Sequence, residues 1–196
     1  MLIPESERRA YDCVNLNRQN LSRFIWEFER TIELFALIEQ LDRSRPTGTY
    51  GFIGPLRDPI SYYRIIAARD GALNAYHFFR TLKAVHDQLL ECPSICREVD
   101  SAAVAMALAE FDAMFPNIGR VRQAVAHAGE LVSSPAKMAV TMRQGHYLAG
   151  GLAGNTFSIG HSGKTFSITL DKSSVAVLSN IKAMIDRAFQ ALQEQN

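Results

Sequence analysis

Between Leu21 and Leu41 the apolar residues return at steps of three and four: Leu21, Phe24, Ile25, Phe28, Ile32, Phe35, Ile38 and Leu41. That spacing follows the helical period and predicts one apolar face of a long helix over about 21–42. The opposite face carries Arg23, Glu27, Arg30 and Glu33 at separations that pair charges between turns, which reads as a solvated face. Trp26 lies beside the apolar stripe and is a candidate for a partner surface. Upstream, residues 5–13 predict a short leading helix, with Asn15, Asn17 and Asn20 blurring the boundary between the two.

Residues 43–58 contain three Gly and two Pro, so a loop follows. Asp58-Pro59 reads as a helix start, with Asp as cap and Pro in the first turn. The helix it opens runs to about Leu90, antiparallel to the first. Gly71 in its middle costs about 1 kcal/mol relative to Ala, and so points to close approach by another helix. His77 and His86 share a face only loosely and read as ordinary surface or packed histidines. Cys92-Pro93-Ser94 breaks this helix. Asp100 or Ser101 caps an alanine-rich successor ending at Phe115-Pro116, where Glu110 and Asp112 are expected to be solvated.

A short helix over 117–128 follows, entered through Asn117 as side-chain cap and stopped by Gly129. Beyond it Ser134-Pro135 predicts one more short helix, to about Arg143, and the Gly150–Gly154 run a flexible approach. The alternations Thr156-Phe157-Ser158-Ile159 and Thr165-Phe166-Ser167-Ile168 predict a β-hairpin. Gly163-Lys164-Thr165 is not a phosphate loop, because a strand pattern follows it where a helix is required. Asp171 or Ser173 then caps a last helix, with Val175, Leu178, Ile181, Ile185, Ala188, Phe189 and Leu192 facing inward. The fold class is therefore mainly all-α. About five main helices form a bundle, followed by a C-terminal hairpin over about 145–170 and a final helix over 172–193.

The chain has 196 residues, of which 47% are hydrophobic, so the expectation is one domain over 1–196 with a substantial core. A net charge of +1 creates no global field toward nucleic acid or an anionic membrane. Any affinity for phosphate must come from local arginines, which greatly outnumber the lysines. Cys13, Cys92 and Cys96 form neither a disulfide framework nor a four-ligand zinc site, and are expected to be reduced thiols. No metal or cofactor is expected. There is no signal-peptide pattern, and the longest apolar run, Ala102–Ala109, falls far short of a bilayer span of about 20 residues. A soluble, cytoplasmic protein without membrane association is the expectation.

The chemistry concentrates in the 117–128 helix and its continuation, Ile118-Gly-Arg-Val-Arg-Gln-Ala-Val-Ala-His-Ala-Gly-Glu130. Arg120, Gln123 and His127 fall on one stripe, whereas Arg122 lies about 140° from His127 on a helical wheel. Arg122 therefore reaches His127 only through fraying or from a second chain. Lone charges on a helix of Val and Ala are expensive to bury, so these groups are either paired or used.

The run Arg122-Gln123-Ala-Val-Ala-His127, set in a helical context, resembles the Arg-x(4–6)-His motif of the HEPN superfamily. Arg120 and His127 fit the longer spacing of the same motif. The resemblance covers roughly residues 20–130 and leaves the hairpin and last helix as an appendage. It implies a metal-independent endoribonuclease working as a homodimer, of a kind found in toxin or defence settings. In that role His127 exchanges a proton with the ribose 2′-hydroxyl or the leaving oxygen. Arg122 holds the scissile phosphate in its fork, Gln123 orients the imidazole, and Arg120, with Arg80 as a further candidate, adds phosphate contacts. Gln123 stands where Asn is usual in the family. Many members of the family serve instead as non-catalytic dimerisation or binding modules for nucleotide, RNA or protein. The alternative is thus a scaffold in which Arg122, Gln123 and His127 form a polar network that sets helix register.

Overall fold

The computed structural model describes residues 3–44, 59–126, 151–161 and 164–193. The described chain is mostly helical, with a small antiparallel sheet near the C-terminus. After a 3₁₀ turn at Glu5–Glu7 come α1 (Arg8–Arg43), α2 (Pro59–Leu90), α3 (Pro93–Cys96), α4 (Ser101–Met114) and α5 (Ile118–Ala126). Then follow β1 (Gly151–Ala153), β2 (Thr156–His161), β3 (Lys164–Thr169), α6 (Lys172–Ala188) and α7 (Gln190–Gln193). No helix among the described residues is long and apolar enough to cross a membrane. The short helix expected over 134–143 and the Gly129 stop lie outside the described residues.

The first helix begins much earlier than its obvious apolar stripe. The asparagine-rich stretch is helical, and Asn17 donates from Nδ2 to the Cys13 carbonyl one turn back, at 2.8 Å. Asparagine competes with the helical backbone for hydrogen bonds, but burial decides here. Val14, Leu21, Phe28 and Phe35 recur every seven residues, with Ala10, Thr31 and Ile38 at the intermediate steps, and all are buried. In α2 the same repeat runs through Ala68, Ala75, Leu82 and Leu89, with Gly71, Phe78 and Val85 between them. A repeat of seven keeps one seam of each helix in register with its neighbours over many turns.

The described residues divide into two compact units, to each of which α1 and α2 contribute part of their length. The first takes in residues 3–26, 74–116 and 173–193 and is wholly helical. Within it α1 and α2 run antiparallel, because Glu7 lies beside Cys92 while Phe24 lies beside His77. Phe111 of α4 stacks on Phe78 and Phe79 of α2, with centroids 5.8 and 5.3 Å apart, and Phe115 joins at 4.9 Å. Asp100 caps α4 by accepting from the Ala103 amide at 3.0 Å. Leu178, Ile181, Ile185 and Ala188 of α6 and Phe189 just after it are buried as their spacing predicts, while Val175 and Leu192 are only half-buried. The Cys92-Pro93-Ser94 break proves to be a single helical turn. Pro93 has no N–H to offer, so the turn's first donating amide is Ser94 N, which donates to the Glu7 carboxylate at 3.0 Å, and the Ser94 hydroxyl donates to the same oxygen.

The second unit takes in residues 27–44, 59–73, 117–126, 151–161 and 164–172. Its sheet has the order β1-β2-β3, all antiparallel. The expected hairpin is thus one strand short of what forms, because the glycine-rich approach contributes β1. Gly154 is the reason. Its φ of 58° opens a two-residue turn with Asn155, which pairs Ala153 with Thr156. Between β2 and β3 the register sets Phe157 opposite Ile168 and Ile159 opposite Phe166 on the inner face. On the outer face Ser158 and Ser167 share a hydrogen bond of 2.7 Å, and Thr156 and Thr169 one of 3.3 Å. The inner face receives α5, which packs on β2 and β3.

Candidate functional site

Helix α5 presents its candidate residues because of what its other face must do. Ile118, Val121 and Ala124 are buried, so the helix is anchored to the sheet by an i, i+3, i+6 stripe. Arg120 is exposed, and Arg122 and Gln123 are half-buried. At about 100° per residue, Arg120 and Arg122 stand on opposite shoulders of the polar side, with Gln123 between them. The side chains of Arg120 and Gln123 make no hydrogen bond or ion pair among the described residues. His127 lies outside the described residues.

The entry to α5 is made by backbone. Asn117 has a φ of 65°, the left-handed region that Asn tolerates better than most residues. Its carbonyl accepts from Arg120 N at 2.7 Å and Val121 N at 3.1 Å. The helix-starting hydrogen bonds therefore go to the Asn117 carbonyl and not to the side-chain oxygen that the sequence suggested.

Arg80 belongs to the first unit, whereas Arg120 and Arg122 belong to the second. His86 sits one residue from Asp87, with its Nδ1 3.3 Å from that carboxylate. Lys83 also binds Asp87, at 2.8 Å, and this hydrogen bond is the main cause of the lowered pKa of Asp87. Glu110 and Asp112 are exposed, as expected of solvated carboxylates.

Three groupings have no sequence signature, because their members are far apart along the chain. Arg18 lies with its guanidinium 4.1 Å from the Phe189 ring centroid and 3.8 Å from Asp186, which also holds Lys182. Only 14% of the Arg18 side chain is exposed, and burial lowers its pKa although the charge of Asp186 opposes the shift. Glu7, Cys92 and Ser94 form the second grouping. The Cys92 thiol donates to the Glu7 carbonyl at 3.4 Å, and its pKa is raised by burial first and by the charges of Glu7 and Glu91 next. The third is a surface stack of Arg23, Phe24, Tyr76 and His77.

By fold the chain is a mainly helical protein with a three-stranded antiparallel sheet, and its arginine-bearing helix α5 is seated on that sheet. Comparison with known proteins finds no matching family model, no similar curated protein and no similar solved structure.

Proposed function

We propose that the α5 region is the RNA-cleaving centre of a HEPN-like, metal-independent endoribonuclease that works as a homodimer. The observation that carries this reading is the division of α5 into two sides. Its apolar residues are buried toward the sheet, while Arg120, exposed, and Arg122 and Gln123, half-buried, occupy the other side. Arginine and an amide ahead of His127 suit phosphodiester transesterification. The ribose 2′-oxygen bonds to phosphorus as the bond to the 5′-oxygen breaks. One His127, as neutral imidazole, takes the 2′-hydroxyl proton, and the His127 of the second chain, entering as imidazolium, gives its proton to the leaving 5′-oxygen. Arg122 offers two parallel N–H donors to the phosphate oxygens as their charge grows. Two chains supplying two Arg–His sets resolve the wide angle between Arg122 and His127 on a single helix. A toxin or defence role is the biological setting that the resemblance suggests.

A non-catalytic RNA- or protein-binding module is the second reading, favoured by Gln123 standing where the motif usually has Asn. The longer amide places its donor and acceptor differently relative to an imidazole one turn on.

Structured RNA incubated with the protein in excess EDTA separates the two. Products ending in 2′,3′-cyclic phosphate, abolished by both His127→Ala and Arg122→Ala in folded protein, support the enzyme. Intact RNA after incubation with a folded dimer, or cleavage that survives both substitutions, leaves the binding module.

A further inference from the structure

On the surface of the helical unit, α1 and α2 bring together two cations and three rings. Phe24 and His77 stack with centroids 5.6 Å apart and 22° between their planes. Tyr76 meets His77 edge-on at 5.9 Å, and the Arg23 guanidinium carbon lies 5.9 Å from the Phe24 centroid. Arg80 follows one helical turn after Tyr76 and His77, at the i+4 and i+3 spacings that place side chains side by side. Arg23, His77 and Arg80 are exposed, and Phe24 and Tyr76 are half-buried. Neither ring nitrogen of His77 and no nitrogen of Arg80 has a hydrogen-bond partner among the described residues.

The rings hold one another in place, so a flat ligand meets a surface already ordered and loses little side-chain freedom on binding. Charge narrows the ligand further. An acidic peptide would use the arginines and leave the stacked rings idle. A quaternary ammonium would suit rings but be repelled by two guanidinium groups. A strand of unpaired nucleotides uses both, since every base offers a π-face and every link a phosphate. Duplexes keep their base faces covered. We infer that this patch binds single-stranded nucleic acid, with a base stacked on His77 and phosphates paired with Arg80 and Arg23. It uses no residue of α5 and does not require cleavage there.

The test is fluorescence anisotropy on the full chain with a labelled, non-cleavable 2′-O-methyl RNA 12-mer and a DNA 12-mer of the same sequence. His77→Ala and Arg80→Ala should each weaken binding about fivefold or more with unchanged melting, since both residues are exposed. His77→Phe, which keeps a ring for stacking, should bind within about twofold of the parent. Arg80→Ala should also flatten the slope of log K against log salt by about 0.7, the share of one single-strand phosphate contact. Preference for the RNA strand identifies RNA as the ligand, and equal binding of both strands identifies sequence-tolerant single-strand binding. The inference is overturned if folded protein binds neither strand, or if both alanine variants bind like the parent. Failure of the cleavage assay with these effects intact removes the enzyme reading and leaves this one.

Discussion

Gly71 faces Thr31 across the α1–α2 contact so closely that a Cβ on the glycine would lie 2.9 Å from the Thr31 methyl carbon, Cγ2. Leu170, just after β3, closes the same gap from another side at 3.1 Å. Thr31 is held in turn, donating toward the Glu27 carbonyl and the Asp70 carboxylate at 3.3 Å each. Three segments distant in sequence thus meet where one residue lacks a side chain.

Gly71→Ala should therefore destabilise the protein by about 1–3 kcal/mol, the usual cost of overpacking. That cost exceeds the gain of about 1 kcal/mol that alanine brings to a helix interior. Thr31 is β-branched and Leu170 fully buried, so neither yields easily. Thr31→Ser removes the offending methyl and should recover part of the loss in the double variant. Urea unfolding of the four-member cycle measures this, and additive effects would contradict the contact.

The opposite outcome is expected at Gly119. It lies in the first turn of α5, has no positive φ, and a Cβ there would meet nothing within 4 Å. Gly119→Ala should stabilise by about 0.4–1 kcal/mol, chiefly by restricting the unfolded chain. The change registers as a higher urea midpoint with an unchanged m-value.

At Arg18 the planar guanidinium matters as much as its charge. Arg18→Met keeps much of the apolar stem but loses the stacking over Phe189 and the pairing with Asp186. A loss of about 1–2 kcal/mol is expected, and Arg18→Lys should fall between the two. Asp186 retains Lys182, so its carboxylate is not stranded. Equal stability of the Lys variant and the parent would show that charge alone suffices.

The thiols should separate by reactivity. Cys13 is exposed and Cys92 buried, with a pKa raised by that burial and by Glu7 and Glu91. With Ellman's reagent near pH 8, Cys13 should react at once and Cys92 only as the protein unfolds. The sign of the pH effect follows. Because the folded state holds the Cys92 proton more tightly, its contribution to stability is fully present below the unfolded thiol pKa of about 8.5. That contribution is lost as pH rises above this value. A single fast phase for all three thiols would refute this placement.

Local patterns determined much of this chain. The periodicity from Leu21 to Leu41, the Pro93 break, the Asp100 cap, the alternation in β2 and β3 and the inner face of α6 are short-range consequences of sequence. Each rests on residues within a turn or a strand pair of one another, so pattern suffices. The polar character of α5 was legible for the same reason: Arg120, Arg122 and Gln123 stand out against Ile118, Val121 and Ala124. Tertiary structure alone decided what depends on distant partners. Burial of Ala10 and Val14 drew the asparagine-rich stretch into α1 against its weak propensity. Pairing with β2 turned Gly151–Ala153 into a strand. Thr31 and Leu170 explain why position 71 is glycine, and no local rule could have named them. The joining of Arg18 to Phe189, of Glu7 to Ser94 and of Phe24 to His77 follows from how the helices pack, which is set by the summed burial of their seams and not by any one residue.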